Sequence, residues 1–364
     1  MDLKHYVATT RPVKLVKVSG QPDQYWYEHD ENNSADVATS YFRCGQYVDN
    51  SGEVEPPFFF NPRNEDVDYI ISPGGITPAQ LKSNGGSKEM FDMLFNELEQ
   101  GKKDLLLFMF GYHNPLTKEF DHVHRIHENF IEHGNTNIGR LLMLTWPSQG
   151  FGEYNKELGG NHGEPVKNGI DINSDVAVTG KLLAIFLSKL RNYMTNRYAT
   201  MPAGRYQPKL HFIVQSMANQ IWNITLEHLI NNNIKSALNG MFEKLMLTSP
   251  DIQDNIFQES SAYKQSTDLA NNAFVVYSKQ DTILQAADVF HHISEHSRLG
   301  LIGPQPLSSI PLNTNLLEVT QGHRSFSPID YNHRYFEYHP AVINFYAQVF
   351  NGMTLPKINY VFAR

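Results

Sequence analysis

The chain has 364 residues, 41% hydrophobic and 19% charged, with a formal net charge of −8 and a pI near 6.0. That is enough chain for a large core, and the acidic balance with no Lys/Arg-rich run excludes nucleic acid or an anionic membrane surface as a main partner. A single cysteine, Cys44, excludes an internal disulfide framework. The Met1–Tyr6 start lacks the apolar core of a signal peptide, and no apolar run approaches the ~18 residues of a membrane-spanning helix, so a cytoplasmic location is expected.

Residues 1–80 read as a β-rich extension. Val13–Val18 and Tyr25–Tyr27 have strand composition, with Ser19-Gly20-Gln21-Pro22 as turn material between them, and Ala38–Val48 has room for a further strand pair. Pro56-Pro57, Pro62 and Pro73-Gly74-Gly75 then punctuate a loop-rich stretch. Across residues 81–364 the pattern alternates. Met90, Phe91, Met93, Leu94 and Leu98 form the stripe of a helix over 87–98, and the unbroken run Leu105–Phe110 suits a strand buried on both faces. A helix over 120–131 and a strand over 141–145 follow, then a polar, glycine-rich loop over 148–171. A long helix is expected over 176–193, with Asn173-Ser174-Asp175 as N-cap material. The strand at 210–214 runs straight into a helix. Strands at 244–248 and 273–278, a helix at 282–293, a strand at 316–320 and a last helix at 340–350 complete the pattern. Strands separated by helices specify an α/β fold with a mainly parallel sheet and helices on both faces. Sites in such sheets form at the carboxyl ends of the strands.

The chemistry centres on Lys209–Gln220, where a buried strand breaks at Gln215-Ser216 and continues as a helix. A serine at such a corner is the geometry of a nucleophile elbow, although Val214-Gln215-Ser216-Met217-Ala218 lacks both glycines of G-x-S-x-G. A serine hydroxyl becomes nucleophilic when a base removes its proton, and a buried acid orients that base. Asp281 follows the 273–278 strand and supplies an acid; a plain helix N-cap accounts for it equally well. Both His323 and His333 lie beyond the 316–320 strand and either can serve as base. Two backbone N–H groups are needed to hold an oxyanion. Met217 supplies one at the helix N-terminus, and Tyr112 the other, in the loop where Gly111 permits a tight turn. Gly111, Trp146 and Gln215 are placed around the substrate, with packing an equal account of Trp146. His122, His124 and His127 do not share the i, i+4 spacing of converging ligands. His292 and His296 do share it, but Ile293 stands where a zincin carries glutamate, so no metal is expected.

Several of these segments together resemble one largely uncharacterised bacterial family of α/β-hydrolase-fold proteins. Phe110-Gly111-Tyr112-His113-Asn114 resembles its H-G-[FY]-N, Thr145-Trp146-Pro147-Ser148-Gln149-Gly150 its S-W-P-S-x-G, and Gln215-Ser216-Met217-Ala218-Asn219 its H-S-M-G-N. Ser249-Pro250-Asp251 resembles an A-P-D motif, Tyr277–Leu284 the acid-bearing turn and Arg298-Leu299-Gly300 an R-x-G. His333-Arg334-Tyr335-Phe336 with His339-Pro340-Ala341-Val342 resembles the family's H-S-Y-[FY] and N-P-A-V ending, which selects His333 over His323. The departures are Phe110, Gln215 and Ala218. The resemblance, over roughly residues 85–350, implies an α/β-hydrolase fold and a serine hydrolase acting on a small-molecule ester or related acyl bond without a cofactor. The alternative is a catalytically inactive member of the fold that binds a ligand or protein partner.

Overall fold

The apolar runs of the chain lie side by side in the computed structural model, which describes residues 3–10, 13–17, 25–29, 42–50, 53–54, 58–59, 69–72, 75–78, 86–111, 116–146, 148, 172–258, 261–290, 296–320, 332–353 and 360–362. The first 80 residues contribute β1 (Leu3–Thr9), β2 (Val13–Lys17), β3 (Tyr25–His29), β4 (Arg43–Asn50), β5 (Glu53–Val54), β6 (Phe58–Phe59), β7 (Tyr69–Ser72) and β8 (Gly75–Pro78). Then come α1 (Gly86–Gly101), β9 (Asp104–Met109), α2 (Leu116–His127), which runs into a π-helical turn at Glu128–Glu132, and β10 (Ile138–Thr145). The middle of the chain holds α3 (Ile172–Ala199), β11 (Leu210–Gln215), α4 (Ala218–Asn231), β12 (Phe242–Thr248) and β13 (Ala270–Tyr277). The last part is α5 (Thr282–Phe290), α6 (Leu299–Ile302), β14 (Thr314–Val319), α7 (Tyr335–Tyr338), α8 (Pro340–Phe350) and β15 (Tyr360–Phe362).

The main sheet runs β15-β14-β13-β12-β11-β9-β10-β1-β4-β6-β3-β2, with β5 paired to β4, while β7 and β8 form a separate hairpin. Pairing is parallel from β15 through β1 and antiparallel beyond it. This is an α/β-hydrolase fold. Alternation along the central strands divides the core in two. Leu105, Leu107, Met109, Phe212 and Val214 face the layer packed by α1, α3 and α4, and Leu106, Phe108 and Ile213 face the layer packed by α2 and α8. No helix among the described residues is long and apolar enough to cross a membrane.

The central strands and most helices fall where the apolar patterns put them, and α8 spans the expected residues. Several details differ, and β6, β7 and β8 lie in and beside the stretch expected to be loop. The long helix begins at Ile172, so Asn173-Ser174-Asp175 sits in its first turn rather than ahead of it, where the Asp175 carboxylate still complements the helix dipole. Strand β15 was not anticipated. Nor was β1, because it is a buried strand carrying polar residues: His5 and Thr9 are as inaccessible as Val7.

His5 is accommodated by a defined proton arrangement. The Leu141 N–H donates to His5 Nδ1 at 3.3 Å, so His5 carries its proton on Nε2 and donates to His127 Nδ1 at 2.9 Å. Both rings are neutral in that chain, and adding a proton to either sets two donors against each other. Burial, then the neighbouring His127, Arg140 and His124, push the His5 pKa well below 6.5. Burial likewise lowers His127, against the opposing pull of Glu132, and lowers His211, against that of Asp104. Below pH 6.5 an unfolded histidine takes up a proton that these folded ones refuse, so the unfolded state binds more protons and stability decreases as the pH is lowered. The urea midpoint is therefore expected to drop between pH 7.5 and 5.5 by the equivalent of about 1–3 kcal/mol. His5→Gln, which does not titrate, should flatten that slope; an unchanged slope refutes the assignment.

Candidate active site

Strand β11 ends at Gln215, and the chain turns at Ser216, whose φ is +56°, before α4 begins at Ala218 with Met217 as N-cap. A left-handed backbone at a non-glycine residue persists where its surroundings fix it, and here they do. The Ser216 N–H donates to Thr248 O at the end of the neighbouring β12 (2.9 Å). The Ser216 carbonyl accepts from Asn219 N (3.0 Å), Asn219 Nδ2 (2.9 Å) and Asp251 N (3.2 Å). The Asn219 side chain is itself held by the Tyr263 hydroxyl at 2.7 Å. Among the described residues the Met217 N–H has no acceptor, which leaves it available at the helix N-terminus.

Asp281 uses its two carboxylate oxygens for two different contacts. Its Oδ1 accepts from Leu284 N at 3.0 Å, capping α5, and its Oδ2 lies 2.8 Å from His333 Nδ1. Asp281 is fully buried and His333 nearly so. With Nδ1–H donating to the carboxylate, the Nε2 lone pair is left to take a proton. The segment carrying His333 is tied to the elbow through the end of β12. Ser249 Oγ donates to the His333 carbonyl at 2.9 Å, and Ser249 N donates to the Tyr335 hydroxyl at 2.8 Å, which in turn donates to Val276 O at 2.5 Å. Thr248 therefore holds Ser216 while the next residue holds His333. No hydrogen bond joins Ser216 Oγ to His333 among the described residues. Tyr112 and His323 lie outside the described residues. The tethering role of Ser249 and Tyr335 is absent from the sequence reading; the hydroxyl at a position where the resembling motif has alanine was its one visible signal.

The three residues expected around the substrate are all close to the elbow. Gly111 packs directly on it: a Cβ there would stand 2.5 Å from Ser216 Cβ, 2.9 Å from Ser216 Oγ and 3.0 Å from Met217 N. Gln215 is buried and its Oε1 accepts from Gly111 N at 3.1 Å. Trp146 is fully buried, and its Nε1 donates to Phe110 O at 2.9 Å. Neither polar side chain presents its bonded group to solvent. Some of the described histidines outside the site are paired: His122 with Glu337 (2.7 Å), His127 with His5, and His296 with Asp254 (3.2 Å). Among the described residues no group of three or more His, Cys, Asp or Glu side chains is arranged to hold a metal. His292 lies outside them.

The strand order agrees with the comparison by sequence. Residues 87–350 match the family described as alpha/beta hydrolase of unknown function (DUF900). The chain belongs to that family. No curated protein matches it. Two segments that resemble family motifs brace the elbow from behind. The Asp251 N–H reaches the Ser216 carbonyl, its carboxylate lies 3.4 Å from Arg298 Nη1, and Gln220 Nε2 donates to Asp251 O at 2.9 Å. Gly300 lies against the Ser249–Pro250 backbone, donating to Pro250 O at 2.9 Å and accepting from Ser278 N at 2.9 Å. A Cβ on Gly300 would fall 2.5 Å from Ser249 C and 2.6 Å from Pro250 N.

Two substitutions follow from these contacts. Gly300→Ala pushes on backbone that cannot yield cheaply, and should lower stability by about 1–3 kcal/mol in chemical denaturation. Gly111→Ala places a methyl against Ser216 and should remove reactivity at Ser216 while circular dichroism stays native; an alanine variant as reactive as wild type would show that the approach is looser than the geometry states.

Proposed function

We propose that the protein is a serine hydrolase that cleaves an ester or related acyl bond in a small-molecule substrate. The buried contact between His333 Nδ1 and Asp281 Oδ2, 2.8 Å long and tethered to the same strand end as Ser216, carries this reading. Ser216 Oγ attacks the acyl carbonyl as His333 Nε2 takes its proton. The carbonyl oxygen becomes an oxyanion, and the N–H groups of Met217 and Tyr112 receive it. Collapse of that intermediate expels the alcohol, which takes the proton from His333 and leaves an acyl-serine. Water, deprotonated by the same imidazole, releases the acid and restores Ser216. Asp281 holds the imidazole in the productive tautomer and stabilises its positive charge. Every step uses side chains and backbone of this chain.

One observation favours a second reading, a hydrolase-fold protein that binds a ligand without turning it over. The described residues contain no Ser216–His333 hydrogen bond, whereas catalysis requires heavy atoms within ~2.6–3.2 Å when substrate is bound. A fluorophosphonate probe separates the two. Labelling is expected at Ser216, located by peptide mass spectrometry, and Ser216→Ala should abolish it. Asp281→Asn keeps a good helix cap but favours the wrong imidazole tautomer, so it should leave the melting temperature nearly unchanged while slowing labelling and ester turnover about 10³-fold or more. A folded wild-type protein that resists the probe sinks the hydrolase reading in favour of the binder.

A further inference from the structure

The peptide group that joins Phe110 to Gly111 is gripped at both ends. Its carbonyl accepts from Trp146 Nε1 at 2.9 Å, and its N–H donates to Gln215 Oε1 at 3.1 Å. The two partners come from opposite sides. Phe110 and Gly111 follow β9, which lies in the sheet between β11, ending at Gln215, and β10, whose end leads into Trp146. Both side chains are buried, with 0% of Trp146 and 2% of Gln215 exposed, so water competes for neither bond. A peptide unit is planar, and fixing both its carbonyl and its N–H sets its orientation. That orientation sets how closely Gly111 lies on Ser216 and the Met217 N–H.

We propose that Gln215 and Trp146 are positioning residues for Gly111 beside the elbow rather than contacts to substrate, an inference that rests on the serine-hydrolase reading of the same site. Through one rigid peptide they seat Gly111 against Ser216 Oγ and the Met217 N–H. The requirement is geometric: a nucleophile or oxyanion donor displaced by about 1 Å forfeits much of its effect on the transition state while leaving ground-state binding almost untouched. Gln215 suits this task because its amide oxygen accepts at every pH, at a position where the resembling motif carries histidine.

The test uses Gln215→Met, which keeps length and volume but removes the strong acceptor, together with Trp146→Phe and the double variant, assayed on a chromogenic acyl ester. Each single change should lower kcat about 10- to 100-fold with KM little altered, because the lost interaction is one made in the transition state. The double variant should be little worse than the poorer single one, since both bonds hold the same peptide and either loss frees it. Exchange of the Gly111 amide proton, followed by NMR, should speed up in both single variants. Trp146→Phe also removes core volume; if it fails to fold, Gln215→Met and the Gly111 exchange decide alone. Turnover in the wild type with kcat unchanged in Gln215→Met overturns the positioning role by itself, as do effects that fall on KM, single-variant losses that multiply in the double, or unaltered Gly111 exchange. A wild-type protein with no turnover and no labelling at Ser216 overturns the hydrolase reading and the positioning role with it.

Discussion

The left-handed turn at Ser216 is the constraint on which the rest of the site depends. A non-glycine residue at a φ of +56° costs roughly 1–3 kcal/mol, and the motif around it offers no glycine to relieve that cost. Relief comes from elsewhere in the chain. The bonds from Ser216 N to Thr248 O and from Asp251 N to Ser216 O clamp the corner to β12 and the loop after it. Close approach is arranged by glycines outside the elbow. Gly111 brings the loop after β9 onto Ser216, and Gly180 brings α3 onto α4, where a Cβ would come 2.6 Å from Ile224 Cβ. Ala218, in place of the second elbow glycine, is completely buried, so its methyl is accommodated within this packing.

The carboxyl end of β12 organises the other half of the site. Thr248 and Ser249 hold the Ser216 and His333 segments by consecutive residues, and Ser249 itself has a φ of +42°. Behind them the Asp251–Arg298 pair and Gly300 fill the space between the strand ends. Asp281 joins local folding to chemistry. One carboxylate oxygen starts α5 and the other fixes the imidazole, so the helix that forms after β13 also sets the position of the acid. The helix-cap contact and the histidine contact use different oxygens of this residue, so neither displaces the other.

How much of this was legible follows from what each signal measures. Continuous apolar runs such as Leu105–Met109 announce strands buried on both faces, and the parallel sheet follows from their alternation with helices. Burial of a polar strand sends no such signal, which is why β1, with His5 and Thr9 inside, went unseen. Chain order gave an acid and two candidate bases, and only the resemblance at residues 333–342 separated His333 from His323. The inward direction of Gln215 was readable in principle. It shares the parity of Ile213, which faces the α2 and α8 layer, whereas Phe212 and Val214 face the other. That its partner would be Gly111 was not readable, because it depends on the register of β9 against β11, where Val214 stands opposite Met109.

The departures at 110 and 215 also make sense together. Phe110 turns its ring into the apolar layer, 4.9 Å from Phe108 and 4.7 Å from His122, whose Nδ1 is taken up by the buried Glu337 at 2.7 Å. A side chain so committed to packing contributes only its backbone to the loop. The polar work then falls to neighbours on either side, an indole N–H that only donates and an amide oxygen that accepts. Neither titrates near neutrality, so the grip on the loop does not change over the pH range in which histidines gain protons. Substituting both histidines of the resembling motifs thus removes two titrating groups from the loop's support while leaving its peptide bonded at both ends. The loop's orientation is separated from the proton transfer assigned to His333, and each can be altered without the other.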